Sequence, residues 1–423
     1  MTAPGAPVDP LLQQSTSNES AEQSRDDIAI DERRHRTNPV ALGVIGVLAI
    51  LTAAVVVSND EGPSLRPALA VDGWAPYWAL ENSAPEISRR SGSMREISPF
   101  WFKVTGVARI ETYATAPIDL VEKFLANTRN ARIVPSLVDR LPAGQMAAIL
   151  ADPDTRRRHI ETIVSFARDG KYDGIDLNYE QFAFADGRDT WETTRPNWVS
   201  FVTELAEELH GDGRTLTVSI PGVYDDGRTA ESGYWVYDYE GIIDHVDHIR
   251  IMAYDYSVEE PGPIAPLDYV RRVIKGALEA TGQPEKLVLG IPTYGRNWVL
   301  STRGTCPPPN WSKDITVPGT TTVTARSVDD LIEKRNAAPV YDESAAEWSF
   351  SYELEISDGS TTCVQSRRVH YVDATGVRAR MDLAKKAGFG GVAIWALGFE
   401  NDAVWDAILI DAIPPTQNTV TRP

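Results

Sequence analysis

The chain has 423 residues, 42% of them hydrophobic, enough to bury a large core in one large domain or two ordinary ones. A formal net charge of -19 disfavours nonspecific electrostatic binding to nucleic acid or to an anionic membrane surface. No basic patch with interleaved aromatics offsets that balance, so no nucleic-acid partner is expected.

Residues 1–38 are rich in Ser, Gln, Asp and Pro and lack hydrophobic period, which reads as a disordered tail. Val40 to Val57 is an uncharged apolar run, and about 18 residues is the minimum to cross a bilayer core. Arg33, Arg34, His35 and Arg36 precede it, and Asp60 and Glu61 follow. The positive-inside rule then predicts a transmembrane helix over 39–58 with a cytoplasmic N-terminus and everything beyond it outside the cell membrane. Residues 59–70 form a Gly/Pro/Ser spacer. Ala68-Leu69-Ala70 offers a cleavage pattern, but it lies far from the apolar run, and a retained single-pass anchor is the preferred reading over release near Ala70.

From Val71 onward, strand-like apolar runs alternate with helical patterns through 412, before a short C-terminal tail over 413–423. That alternation predicts a parallel sheet, and about 340 residues suits a (β/α)8 TIM barrel with an insertion. The eight expected strands are Ala70–Trp74, Glu96–Phe102, Arg132–Leu137, Gly174–Tyr179, Thr215–Ile220, His248–Met252, Lys286–Ile291 and Gly391–Trp395. Amphipathic stretches at Arg156–Arg168, Arg195–Leu209, Leu267–Ala280 and Gly376–Ala387 supply helices between them. Between the seventh and eighth strands, 297–371 reads as a small α+β insertion with short alternating strands.

The chemistry concentrates in the fourth strand, Tyr172-Asp173-Gly174-Ile175-Asp176-Leu177-Asn178-Tyr179-Glu180. Alternate side chains of a strand share a face, so Asp176, Asn178 and Glu180 point one way and Ile175, Leu177 and Tyr179 the other. A row of acids on a buried strand is expensive unless something uses it. Strand ends elsewhere carry Trp74-Ala75-Pro76-Tyr77, Phe100-Trp101, Met252-Ala253-Tyr254-Asp255, the Pro261–Pro266 loop, Tyr294-Gly295-Arg296 and Trp395. Eleven Trp and fifteen Tyr are many, and rings not used in the core are what sugar rings stack on.

This set resembles glycoside hydrolase family 18, whose signature is D-x-x-D-x-D-x-E. Asp173, Asp176 and Glu180 match it, and Asn178 departs from it. The resemblance covers about 70 to 410 and is strongest toward bacterial cell-wall and spore-type members. It implies a chitinase-like enzyme cleaving β-1,4 linkages in an N-acetylglucosamine-containing polysaccharide, with the substrate's own acetamide as nucleophile. On that resemblance Glu180 is the general acid and base, with Asp176 beside it. Asn178 orients the acetamide N–H, and Tyr254 binds the acetamide oxygen. Trp395 floors the sugar, and Asp255, Met252, Trp74, Tyr77, Trp101, Tyr294 and Arg296 line the cleft. Asp173, out of step with the row, fixes the start of the strand.

Asn178 can still accept a hydrogen bond but supplies no charge to the cationic intermediate. A lectin-like, catalytically weak barrel is therefore the alternative. Cys306 and Cys363 both fall in the insertion; they are too few for a zinc knuckle and would pair if the domain faces an oxidising exterior. No cofactor is implied. Asp244-His245-Val246-Asp247-His248 lies at the start of the sixth strand, away from the strand ends, and reads as a surface turn rather than a metal site. No G-x-S-x-G, H-E-x-x-H or phosphate loop occurs.

Overall fold

The computed structural model describes residues 69–113, 124–126, 128, 131–308 and 319–410. The expected tail, transmembrane helix and C-terminal tail lie outside the described residues, as does the linker up to residue 68. Among the described residues no helix is long and apolar enough to cross a membrane.

A curled, mainly parallel sheet wrapped by helices forms the body of the protein. Its strands are β1 (Ala70–Pro76), β2 (Glu96–Phe100), β3 (Phe102–Gly106), β4 (Arg109–Thr112), β5 (Arg132–Ile133), β6 (Ser136–Asp139), β7 (Gly174–Asn178), β8 (Thr215–Pro221), β9 (His248–Met252), β10 (Leu287–Pro292) and β16 (Gly391–Trp395). Two expected strands are each broken in two. The second is interrupted at Trp101 and the third at Val134-Pro135, where proline has no N–H to give the ladder. Both halves keep the same neighbours, since β2 pairs with β5 and β3 with β6. From β6 the parallel pairings run through β7, β8, β9, β10 and β16 to β1, and from β1 to β2.

Helices pack outside because each carries one apolar stripe. In Pro153–Asp169 that stripe is Ile160, Ile163, Val164 and Ala167, with His159 buried beside it, and the Asp152 side chain caps the helix by accepting from Thr155 N at 2.8 Å. Trp191–Gly211 buries Trp198, Phe201, Val202, Leu205 and Leu209 in the same way. The outward residues of β7, Ile175 and Leu177, are fully buried against this layer, and Tyr179 beyond them bonds His159 Nε2 at 2.7 Å.

The inward residues are of another kind. Period-two alternation puts Asp72, Glu96, Ser98, Ser136, Asp176, Thr217, Ser219 and Arg250 on the concave face, all fully buried. Arg250 ties them together: its guanidinium donates to Glu96 at 2.7 Å, to Ser98 at 2.6 Å and to Asp72 at 3.3 Å, and lies 3.5 Å from Asp176. The interior is thus a hydrogen-bonded ionic network, and its members satisfy one another.

The insertion is a five-stranded antiparallel sheet in the order β12 (Thr321–Thr324), β11 (Tyr294–Gly304), β15 (Thr362–Tyr371), β14 (Glu347–Ser357) and β13 (Val340–Asp342). It starts at Tyr294 rather than at 297, because β10 runs into β11 across Thr293 alone. Tyr294 and Arg296 therefore stand on the inserted sheet at its root. Cys306 and Cys363 are joined in a disulfide across its far end. Glu347, on β14, fastens this sheet to the Pro261–Pro266 loop by accepting from Ile264 N and Ala265 N, both at 2.7 Å, and by pairing with buried Arg380 at 2.7 Å.

Candidate active site

The site lies where the C-terminal ends of β1, β7, β9 and β16 converge. Asp176 sits deepest. Its carboxylate accepts from Trp74 Nε1 at 2.9 Å, from the Ser136 hydroxyl at 2.5 Å and from the Ser219 hydroxyl at 2.5 Å. Burial raises its pKa, while Arg250 and these three donors pull against that rise.

Two residues further along β7, Asn178 is 2% exposed and its Oδ1 has no partner among the described residues. A buried acceptor left open is costly, and it is free to receive an N–H from a bound group.

Glu180 does not continue the strand. β7 ends at Asn178, and Glu180 adopts helical dihedrals at the head of the short helix Gln181–Ala185. The expected in-line row of three therefore holds for Asp176 and Asn178 and breaks before the last acid. The half-exposed carboxyl of Glu180 lies among phenols, since its charge contributes to the raised pKa values of Tyr254, Tyr237 and Tyr234.

Tyr254 is nearly buried. Burial first, then the charges of Glu180, Asp255 and Asp176, push its phenol well above the usual range. It stays protonated and can donate a hydrogen bond. Its ring lies 6.4 Å from that of half-buried Trp395 and near parallel to it, while Phe100 and Trp78 meet Trp395 edge-on at 5.2 and 6.4 Å. Trp395 is thus held upright on three sides, with part of its surface open. Met252 lies half-buried at the end of β9.

Asp255 has a left-handed backbone, φ 56°, a region that Asp tolerates better than most residues. The inserted sheet grips its carboxylate, with the Tyr294 hydroxyl donating and Arg296 donating at 2.7 Å. Tyr294 and Arg296, both under 5% exposed, act on Asp255 rather than on the open cleft.

Two expected cleft residues are corrected. Trp74 is fully buried beneath the site, with its indole N–H committed to Asp176, so it supports the acid instead of meeting a sugar. Trp101 is 2% exposed on the opposite face of the sheet, packed edge-on against Phe124 at 5.3 Å. It sits at the strand break, out of phase with Ser98 and Phe100. Tyr77 stacks on Tyr113 at 4.9 Å and keeps part of its surface open at the end of β1. Asp173 bridges the start of β7 to β5, its backbone N–H donating to Ile133 O at 2.9 Å and its carboxylate accepting from Ile133 N at 2.7 Å.

Trp78, next to Tyr77, and Phe100, already noted at its strand end, complete the aromatic floor. Other residues went unnoticed in the sequence. Asp139 takes the backbone N–H groups at 180, 181 and 182. The inward members of β1, β2, β8 and β9 build the network under Asp176, and applying the period-two rule to those strands would have found them. No group of His, Cys, Asp or Glu among the described residues could hold a metal ion. His248 Nε2 instead faces Arg95 at 2.8 Å, and burial and that guanidinium lower its pKa to about 4.

Comparison with known proteins gives the arrangement its context. The family model for glycosyl hydrolases family 18 matches residues 136–400. The glycosylase YvbX of Bacillus subtilis is 23% identical over 272 residues, which is 63% of this chain and 69% of that protein. The cortical fragment-lytic enzyme of the same organism is 26% identical over 66% of this chain and 59% of its own length. Mouse chitotriosidase-1 is 25% identical over 60% and 55%. The chain therefore spans little more than half the length of the last two.

Among solved structures, a chitinase from Chromobacterium violaceum superposes with a TM-score of 0.64 at 23% identity, covering 81% of this chain and 98% of that one. The spore cortex-lytic enzyme SleL of Bacillus cereus superposes with a TM-score of 0.64 at 18% identity, covering 82% and 75%. With the family match extending over more than half of its length and taking in the ends of β7, β9 and β16, this chain belongs to glycosyl hydrolase family 18 and is a glycoside hydrolase.

Proposed function

We propose that the protein hydrolyses β-1,4 linkages of an N-acetylglucosamine-containing polysaccharide by a substrate-assisted, retaining route. The observation that carries this reading is the convergence of Glu180, Asp176, Asn178 and a protonated Tyr254 beside the open part of Trp395. The sugar would rest on Trp395, its acetamide directed toward Tyr254 and Asn178. Glu180 gives its proton to the leaving glycosidic oxygen as the acetamide oxygen bonds to the anomeric carbon. It then takes a proton from the water that opens the cyclic cation, which restores the original configuration. Tyr254 donates to the acetamide oxygen, and the open Oδ1 of Asn178 accepts the acetamide N–H.

The curled sheet is read as a closed (β/α)8 barrel, because segments 96–106 and 132–139 carry the pairings round from β1 to β7. The similar proteins include enzymes named for chitin and for spore cortex, and a wall-type glycan is favoured here by the apolar N-terminal run. The Cys306–Cys363 disulfide supports an exported domain, since such bonds persist outside the cytosol.

Asn178 favours a second reading, a glycan-binding relative with weakened cutting. A lost transition-state charge costs about 2–4 kcal/mol, or roughly 10² to 10³ in rate. One experiment separates the two. Turnover of N-acetylglucosamine oligomers and purified peptidoglycan is measured for wild type, Glu180→Gln and Asn178→Asp. Wild-type cleavage that Glu180→Gln abolishes supports the hydrolase. A silent wild type with activity gained in Asn178→Asp selects the binding protein.

A further inference from the structure

A residue at the head of a helix ordinarily spends its own side chain on the unpaired amides of the first turn. Glu180 occupies that position for Gln181–Ala185 and makes no such bond. The amides are nonetheless satisfied from the neighbouring strand. Asp139 Oδ1 accepts from Glu180 N at 2.9 Å and from Gln181 N at 2.8 Å, and its Oδ2 accepts from Phe182 N at 2.8 Å. Asp139 is fully buried at the end of β6, whose register with β7 runs Ser136 to Asp176, Leu137 to Leu177 and Val138 to Asn178. The ladder stops there, and the carboxylate takes over where backbone pairing ends.

We propose that Asp139 is a positioning residue for the hydrolysis, capping the helix in place of Glu180 so that the Glu180 carboxyl is released toward the substrate and held in one orientation. The inference rests on Glu180 being the proton donor. Three amides bonded to one rigid carboxylate fix the backbone on both sides of the Cα that carries the reacting group. A side chain that capped its own helix would be turned back onto the backbone and lost to chemistry.

The grip depends on charge, because an ionised carboxylate accepts from three donors and a protonated one presents an O–H among them. Burial raises the Asp139 pKa to about 6, against the pull of the Gln181, Phe182 and Glu180 amides and of Arg140. The other titratable groups facing it are the phenols of Tyr179 and Tyr237, both held protonated by burial. Above about pH 6 the clamp is charged and closed; below it the clamp loosens.

The test uses the full-length chain and an N-acetylglucosamine oligomer. Asp139→Asn is expected to lower kcat about 10- to 100-fold with KM within about twofold, the size of effect that a small misplacement produces. The component near pH 6 on the acid limb of the rate profile is expected to vanish in the variant, whereas a merely structural role would lower kcat and leave that limb alone. In wild type, with selective ¹⁵N labelling, the amides of Glu180, Gln181 and Phe182 are expected to titrate together near pH 6, which holds the idea to account even where the variant fails to fold. Amides that do not titrate, or a variant with wild-type kcat and acid limb, overturn the positioning role. A wild type without turnover overturns the assignment of Glu180 and the positioning role with it, so the two failures are told apart by whether wild type cuts.

Discussion

Replacing Arg250 by Met keeps the volume of the side chain and removes the one cation common to Asp72, Glu96 and Asp176, all fully buried. Against burial, which pushes Asp72 up, the guanidiniums of Arg95 and Arg250 hold its carboxyl well below the usual range, and Arg250 likewise helps to lower Glu96. Removing one partner of a buried ion pair costs about 3–5 kcal/mol because the other charge is stranded. At roughly 2.1 cal/mol/K per residue over about 340 residues, the unfolding entropy is ~0.7 kcal/mol/K, so the melting temperature should fall by about 4–7 °C near pH 7. The sign with pH follows from the depressed pKa of Asp72. Its stabilisation is present above the ordinary value of 3.8 and is lost as pH falls toward the lowered one, so the gap between wild type and variant narrows on acidification below about 4. Calorimetry of wild type, Arg250→Met and Arg250→Lys between pH 3 and 8 would read this, with Lys in between because it keeps the charge and loses the fork. A variant melting within about 1 °C of wild type at pH 7, or a gap independent of pH, would refute the account of the interior as an ionic network centred on Arg250.

Two shorter tests follow from the same geometry. Trp74→Phe removes one donor from Asp176 and is expected to cost about 1–3 kcal/mol of stability and to lower kcat with little change in KM; a variant in which KM rises and kcat is kept would mean that the indole meets the sugar after all. Cys306→Ser opens a loop of 57 residues, and loop entropy puts the loss at ~4 kcal/mol, an upper-end figure. It should appear as an early melting transition that wild type shows only with reductant, and a wild type indifferent to reductant contradicts it.

The eight strand positions could be read from the sequence, although the structure breaks two of them, because apolar residues for the outer face recur through each and Pro, Gly or a polar turn closes it. The row on β7 could be read for the opposite reason, since Asp176 and Asn178 are polar where the pattern demands apolar residues. Its extension to Glu180 failed because strand parity says nothing of where a strand ends. The cause of the ending, three amides captured by Asp139, lies 41 to 43 residues away. Trp101 was misplaced although its parity relative to Ser98 and Phe100 already turned it outward. Trp74 had the right parity and the wrong depth, and depth follows from inter-strand register, which one sequence does not carry. Asp255 belongs to a third kind: the residue was visible, but its partners Tyr294 and Arg296 come from an inserted sheet whose first strand continues β10.

The charge count of the interior bears on the one departure from the family signature. Asp72 is paired with Arg95 and Arg250, and Glu96 with Arg132 and Arg250, while Asp176 lies against Arg250. Three carboxylates thus meet three guanidiniums, and His248, its pKa lowered to about 4 by burial and by Arg95, adds no charge near neutrality. A carboxylate at 178 would be a fourth anion without a cation, set beside Asp176 in a site where burial already raises that acid. It would have to keep its proton or unsettle the network beneath it. An amide avoids the conflict: it is neutral at every pH and offers an open acceptor to the substrate. It leaves Glu180 as the group at the mouth of the site that changes protonation in the proposed reaction. On this account Asn178 belongs to an interior that is already electrically balanced, which favours a hydrolase tuned to work without a second charge under the sugar over one that has lost a part.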